Sequence, residues 1–434
     1  MQLQFPVQRW DELVAAMPFE IFYGSRFGFN YSGSLVLFFK ELMVASGALP
    51  AAGETESKVM GALKVVGKGT GLQFSSRARA AAFHATITKG DLAFCKSFWN
   101  VTENGLAHTF QGSSIVHSVL QHCPVMAEVT VPAQPLSIPA DSNALTFTLP
   151  FSGEVHCMLY SAFHRAGLPP PTGLKAKMTQ THAASEWLVF HVHGGGFIAQ
   201  TSRSHEIYLL KMAHETGAPV LSVNYSLAPD AQHPTQLHQC LHAYFWAREN
   251  AASLGWTGAH VVFIGDSAGG NLVTSMHVHM ITNKISIPRA DFLILAYPVL
   301  DLSQASSPSR ALSIIDTMLP FATLRMCSSA YLGPALDSAG RDPLISPLAA
   351  ADDVLAAFPP TAIFTGEFDP VLDDSAAFAR RLCSLHCDVS FDVVQGAPHG
   401  FLNLGRYDSG SNACIGRICS LMTSVTSGSG RPKE

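Results

Sequence analysis

Downstream of residue 139 the chain alternates short apolar runs with longer stretches of helical periodicity, a pattern that few architectures satisfy. The runs are Leu145–Leu149, Val155–Tyr160, Trp187–Val192, Pro219–Asn224, Val261–Ile264, Phe292–Tyr297, Thr361–Thr365 and Val389–Val394. Each is short and apolar enough to be a strand covered on both faces. Most are separated by enough chain for a helical crossover, as parallel pairing requires, while the first two are close enough to pair antiparallel. The expected fold class is α/β, with a mostly parallel sheet of about eight strands and an antiparallel edge.

From about residue 8 to 125 the texture is mainly helical, with apolar residues spaced by three and four in Trp10–Met17 and Leu92–Phe98. A single core rarely grows beyond about 250–300 residues, so a chain of 434 residues has room for a second region. The stretch Pro132–Pro139 marks the change, and the expected division is a helical region, 1–135, followed by an α/β domain, 136–434. Between Leu300 and Phe358 two strands are joined by a long connection with a helical piece at Phe321–Tyr331. Long connections in compact domains are usually functional, and this one reads as a cap. The Ser/Gly-rich tail Thr426–Glu434 is expected to be mobile.

Hydrophobic residues make up 47% of the chain and charged ones 14%, enough apolar surface for a large core. A net charge of −5 without a Lys/Arg-rich run argues against nucleic acid as a partner. The nine cysteines, from Cys95 to Cys419, show no framework or zinc-knuckle spacing, so free thiols and neither metal nor cofactor are expected. The first residues lack a basic segment followed by an apolar one, and no run reaches the ~18 apolar residues of a spanning helix. The expectation is a cytoplasmic chain with no transmembrane segment.

The candidate chemistry centres on Gly265-Asp266-Ser267-Ala268-Gly269-Gly270, which follows the run Val261–Ile264 and precedes a helical stretch, Asn271–Met280. A serine hydroxyl is a weak nucleophile and needs a base, together with donors for the oxyanion that forms on attack. Strand, sharp turn and helix are the setting of a nucleophile elbow, in which Gly265 and Gly269 relieve crowding around Ser267. The alternative reading of the segment is a plain Gly-rich turn. His193-Gly194-Gly195-Gly196-Phe197 directly follows the run Trp187–Val192. Its amides at Gly195 and Gly196, with that of Ala268, suit an oxyanion hole. His193 reads as ordering this loop rather than as the base, and His191 and His193 point to opposite sides of a strand, which disfavours a metal pair.

In such a fold the acid and then the histidine follow the serine along the chain. After Thr361–Thr365 come Glu367, Asp369, Asp373 and Asp374. Asp369 is the preferred acid because it lies on the loop leaving the strand. Glu367 is the weaker alternative, while Asp373 and Asp374 suit a helix N-terminus. Ala397-Pro398-His399-Gly400-Phe401 follows the last run and offers His399 as the base. His277 and His279, two apart on a helix, read as structural.

With these residues placed, the chain resembles the hormone-sensitive lipase family, whose members share His-Gly-Gly-Gly and Gly-Asp-Ser-Ala-Gly-Gly in this order and at about this separation. The likeness to the animal members extends over 197–206, Tyr225-Ser226-Leu227-Ala228-Pro229, Ser307-Pro308-Ser309-Arg310, Asp369–Arg381 and Pro398–Leu402. Upstream, Phe22-Tyr23-Gly24 and Phe98-Trp99-Asn100-Val101-Thr102-Glu103 look like the end of their N-terminal domain. The resemblance implies an α/β-hydrolase with the triad Ser267, Asp369 and His399 and an oxyanion hole of Gly195, Gly196 and Ala268. It further implies hydrolysis of acylglycerol, cholesteryl or related lipid esters in the cytosol, with lipid droplets as a surface for peripheral contact. The chain departs from the vertebrate members in its shorter N-terminal region. The long phosphorylated insertion they carry between the sixth and seventh strands is also missing, and no Arg-Arg-x-Ser site is present. Two alternatives stand beside the lipid-ester reading: a small-ester or amide deacetylase with the same machinery, and a non-catalytic receptor on the same fold.

Overall fold

The computed structural model describes residues 35, 78, 91–100, 125–133, 137–139, 146–149, 153–169, 180–303, 305–312 and 318–427. The helical run expected at 10–17, the segment 22–24 and residues 428–434 of the tail lie outside the described residues. Eight strands form one sheet: β1 (Val125–Val131), β2 (Val155–Ser161), β3 (Ser185–Val192), β4 (Val220–Asn224), β5 (Trp256–Asp266), β6 (Phe292–Ala296), β7 (Thr361–Gly366) and β8 (Val389–Val394). They lie in the order β1-β2-β4-β3-β5-β6-β7-β8. β2 runs antiparallel to both of its neighbours, and every other pairing is parallel.

Seven of the runs expected from sequence are strands of this sheet, and one is not. Within Leu145–Leu149, residues Thr146–Thr148 pair with Ser137–Pro139 in a separate two-stranded ladder. A five-residue run with two threonines, closed by Pro150, presents less apolar surface than a strand covered on both faces needs. The antiparallel partner of the second run is instead β1, with Val125 opposite Ser161 and Val131 opposite Val155. β1 escapes sequence reasoning because it sits at the sheet edge, where Glu128 and Thr130 remain exposed and break the apolar run.

Side-chain alternation along the inner strands gives the sheet two apolar faces. Leu188, Phe190 and Val192 of β3, with Val261 and Phe263 of β5, face one layer, whereas Val189, Val262 and Ile264 face the other. The helices that matter here are α1 (Leu92–Trp99), α2 (Glu206–Thr216), α3 (Thr235–Glu249), α4 (Ala268–Thr282), α5 (Phe321–Leu332), α6 (Leu372–Ser384) and α7 (Ser409–Thr426). Leu237 and Leu241 of α3, Leu272 and Met276 of α4 and Phe378 of α6 cover the first face; Leu209 and Met212 of α2 and Ile415 and Ile418 of α7 cover the second. Each such side chain, fully withdrawn from water, stabilises the fold by about 1.5–3 kcal/mol before entropy is counted.

α4 is buried along most of its length. Two of its polar side chains bond within the helix: Thr274 Oγ1 donates to the Gly270 carbonyl at 2.7 Å and His277 Nδ1 to that of Val273 at 2.7 Å. Among the described residues, no helix is long and apolar enough to cross a membrane.

Candidate active site

The C-terminal ends of β3, β5, β6, β7 and β8 open on one rim of the sheet, the rim at which α/β sheets bind ligands. Ser267 follows the last residue of β5 directly, and Asp369 and His399 lie on the loops that leave β7 and β8. The structure brings these three together. Ser267 Oγ is 2.8 Å from His399 Nε2, and His399 Nδ1 is 2.9 and 3.0 Å from the two carboxylate oxygens of Asp369. Asp369 is fully buried and also accepts the Val371 N–H at 3.0 Å, which fixes its carboxylate plane. An imidazole so held can take the hydroxyl proton at Nε2 while its other nitrogen faces a carboxylate.

Ser267 adopts φ +52° and ψ −117°, a conformation that a residue with a Cβ rarely occupies. It persists because the turn is pinned on both sides. The Ser267 N–H donates to the Ala296 carbonyl at 2.9 Å, and the Ser267 carbonyl accepts from Asn271 at 3.1 Å. The flanking glycines permit the close approach: a Cβ on Gly269 would strike the Val192 carbonyl, and one on Gly265 would strike the backbone of Gly269.

The glycine loop after β3 lies against this turn. Gly195 and Gly196 have φ of +100° and +59°, and a Cβ on Gly196 would come within 2.7 Å of Cys327 Sγ and 2.9 Å of the Trp99 ring. His193 is buried, donates from Nδ1 to the Gly194 carbonyl at 2.7 Å and stacks on Tyr225. The Tyr225 hydroxyl is shared between the His193 and Gly194 carbonyls at 2.9 and 3.2 Å. Burial drives the His193 imidazole down to about 3, so it is neutral at physiological pH.

Asp266 joins the two motifs. Its Oδ1 accepts the Gly194 N–H and the Tyr208 hydroxyl, each at 2.9 Å, while Oδ2 lies 3.4 Å from His205 Nε2. Burial raises the cost of the charge, but the imidazoles of His205 and His191 more than offset it and hold Asp266 well below the usual carboxylate range. His191, lowered by burial to about 4, bridges Ser222 Oγ at 2.7 Å and Tyr208 Oη at 3.0 Å.

The other carboxylates are used elsewhere. Glu367 accepts the Gly396 N–H at 2.8 Å. Asp373 and Asp374 stand in the first turn of α6, where Asp374 pairs with the buried Arg310 at 2.9 Å. His277 and His279 are buried in α4, away from Ser267.

Sequence reasoning missed three aromatic residues at this site. Tyr297, at φ +37°, follows β6; its ring packs on His399 and its hydroxyl lies 3.5 Å from Asp266 Oδ2. Tyr225 supports the glycine loop, and Trp99 of α1 lines a cavity of about 160 Å³ above Ser267. Val299, Leu302, Leu319 and Leu324 complete its largely apolar wall. Tyr225 and Trp99 lie within segments noted for their family likeness, but nothing local in the sequence assigns any of the three to the site.

Comparison with known proteins agrees with this fold. Residues 189–403 match the family model described as an alpha/beta hydrolase fold, and residues 9–168 match that of the hormone-sensitive lipase N-terminus. The hormone-sensitive lipase of Bos taurus is 38% identical over 270 residues, covering 59% of this chain and 35% of that protein. An arylesterase of Saccharolobus solfataricus is 31% identical over 232 residues, covering 53% of this chain and 73% of that protein. Carboxyl esterase 2 of the fungus Tuber melanosporum superposes with a TM-score of 0.55 at 27% identity, covering 68% of this chain and 87% of that one. The chain spans less than half the length of the hormone-sensitive lipases it matches. Since one of these family models lies over the strands and loops that carry Ser267, Asp369 and His399 and the other over the region that supplies Trp99, the chain belongs to the hormone-sensitive lipase family of α/β-hydrolases.

Proposed function

We propose that the protein hydrolyses carboxylic esters through an acyl-enzyme, with Ser267 as nucleophile, His399 as general base and acid, and Asp369 as the group that orients and charge-stabilises the imidazole. The observation that carries this reading is the hydrogen-bonded chain from Ser267 Oγ through His399 to Asp369. As Oγ bonds to the ester carbonyl carbon, its proton passes to His399 Nε2 and negative charge moves to the carbonyl oxygen. The backbone amides of Gly195, Gly196 and Ala268 receive that charge. Collapse breaks the bond to the alcohol oxygen, which leaves with the proton from His399. Water then repeats the sequence on the acyl-enzyme and releases the acid.

The substrate belongs to the lipid esters: di- or monoacylglycerol, cholesteryl or related esters. The apolar wall of the cavity beside Ser267 supports an apolar acyl group, and the mammalian relatives are lipases by name. Peripheral contact with a lipid-droplet surface from the cytosol, where such substrates are held, is part of the same proposal. Ser267→Ala is the test. It abolishes turnover of p-nitrophenyl butyrate and labelling by a fluorophosphonate while the circular dichroism spectrum is retained; retained turnover overturns the assignment. Rates on diacylglycerol and on acetyl esters then separate the lipid-ester reading from a small-ester deacetylase.

A further inference from the structure

His399 Nε2 must deliver a proton to the leaving oxygen, so the departing alcohol lies on the His399 side of Ser267. With the oxyanion at the glycine loop, the acyl chain is left the remaining, apolar part of the cavity. A residue from outside the catalytic loops is part of the wall there. Trp99, at the end of α1, stands so close to Gly196 that no Cβ fits between them, and Cys327 and Leu324 of α5 form the adjoining wall.

The indole is held in place by its neighbours in the chain. Asn100 Oδ1 accepts the Gln200 N–H at 2.7 Å, the Gln200 side chain donates back to the Trp99 carbonyl at 3.5 Å, and Cys95 Sγ lies 3.8 Å from Thr323 Oγ1 of α5. Gln200 itself has φ +70°, so Asn100 captures a strained residue at the far end of the loop that begins at His193.

We propose that Trp99 sets the length of the acyl group this site accepts, acting as a wall at the oxyanion glycine Gly196; the inference rests on the ester-hydrolase reading. Asn100 and Gln200 lock that wall to the loop. The acyl chain runs beside the indole, and the longer the chain, the more of it meets that wall.

The experiment compares kcat/KM of the full chain on p-nitrophenyl butyrate and decanoate. Trp99→Ala raises the decanoate-to-butyrate ratio at least about tenfold, and Trp99→Phe, which preserves an aromatic side chain against packing loss, raises it about threefold. An unchanged ratio, with both esters affected by the same factor in both variants, overturns the proposal while the triad reading stands. A wild-type chain that neither hydrolyses the two esters nor labels with a fluorophosphonate removes the ester-hydrolase reading, and this proposal with it.

Discussion

The Gly194 N–H donates to Asp266 Oδ1 at 2.9 Å, so the residue before Ser267 holds the loop whose next two glycines line the cavity beside it. Ser267 and the glycine loop are therefore registered to each other by a side chain that makes no bond in the proposed reaction. The same carboxylate collects the Tyr208 hydroxyl and lies beside His205, which makes it the common anchor of β5, α2 and the loop after β3.

Asp266→Asn keeps the shape and removes the charge while turning an amide N–H₂ toward donors. The expected result is a fall in kcat/KM of about 10²-fold, since small misplacements of reacting groups carry penalties of that size. Stability also falls, by about 1–3 kcal/mol, from the unmatched buried donors. Ester turnover and urea denaturation measure the two effects, and near-normal turnover would show that the glycine loop holds its position without Asp266.

A second prediction concerns Arg310, which is buried and pairs with Asp374 while donating to the Ala305 carbonyl at 2.8 Å. Next to it Ser309 Oγ donates to the Pro370 carbonyl at 2.9 Å, so the pair ties the connection after β6 to the loop that bears Asp369. Burial pushes the Asp374 carboxyl up to about 6 against the pull of Arg310, and at pH 8 it is ionised. Arg310→Met at that pH strands the carboxylate and lowers stability by about 3–5 kcal/mol, whereas Arg310→Met with Asp374→Leu recovers at least half of the loss. A double variant as unstable as the single one contradicts this account.

Acid should weaken the fold through its buried histidines. Burial lowers His191, His277 and His279 to about 4 and His193 to about 3, against an unfolded value near 6.5. Between those limits the unfolded chain binds more protons than the folded one, so stability is full above about pH 6.5 and falls as pH drops toward 4. By pH 5 each such histidine removes about 2 kcal/mol. His277→Phe, placed between the rings of Phe263 and Phe358, removes one share of this loss and flattens the acid limb. The slope of unfolding free energy from pH 7 to pH 5 decides the matter, and equal slopes in the two proteins refute it.

How far the sequence carries depends on whether a feature is local. The turn at Ser267, the glycine run after His193 and the order Ser267, Asp369, His399 are each encoded within a few residues, and the structure brings them within hydrogen-bond reach. The inner strands are equally legible because burial on both faces leaves an unbroken apolar run. β1 was hidden by its edge position, and Leu145–Leu149 looked like a sheet strand because composition alone does not say which neighbour a run will find. Trp99, Tyr297 and the brace formed by Asp266 depend on contacts made across the fold. Gln200 meets Asn100 a hundred positions upstream, and Asp266 meets Gly194 seventy-two positions away. No periodicity reports such pairings.

α1 leans on the glycine loop but supplies none of the atoms that make or break the ester bond in the proposed reaction. If Trp99 sets acyl length as proposed, reactivity and selectivity reside in separate stretches of chain. On that proposal, a change in the upstream stretch would alter which esters are taken while leaving the bond-making apparatus untouched.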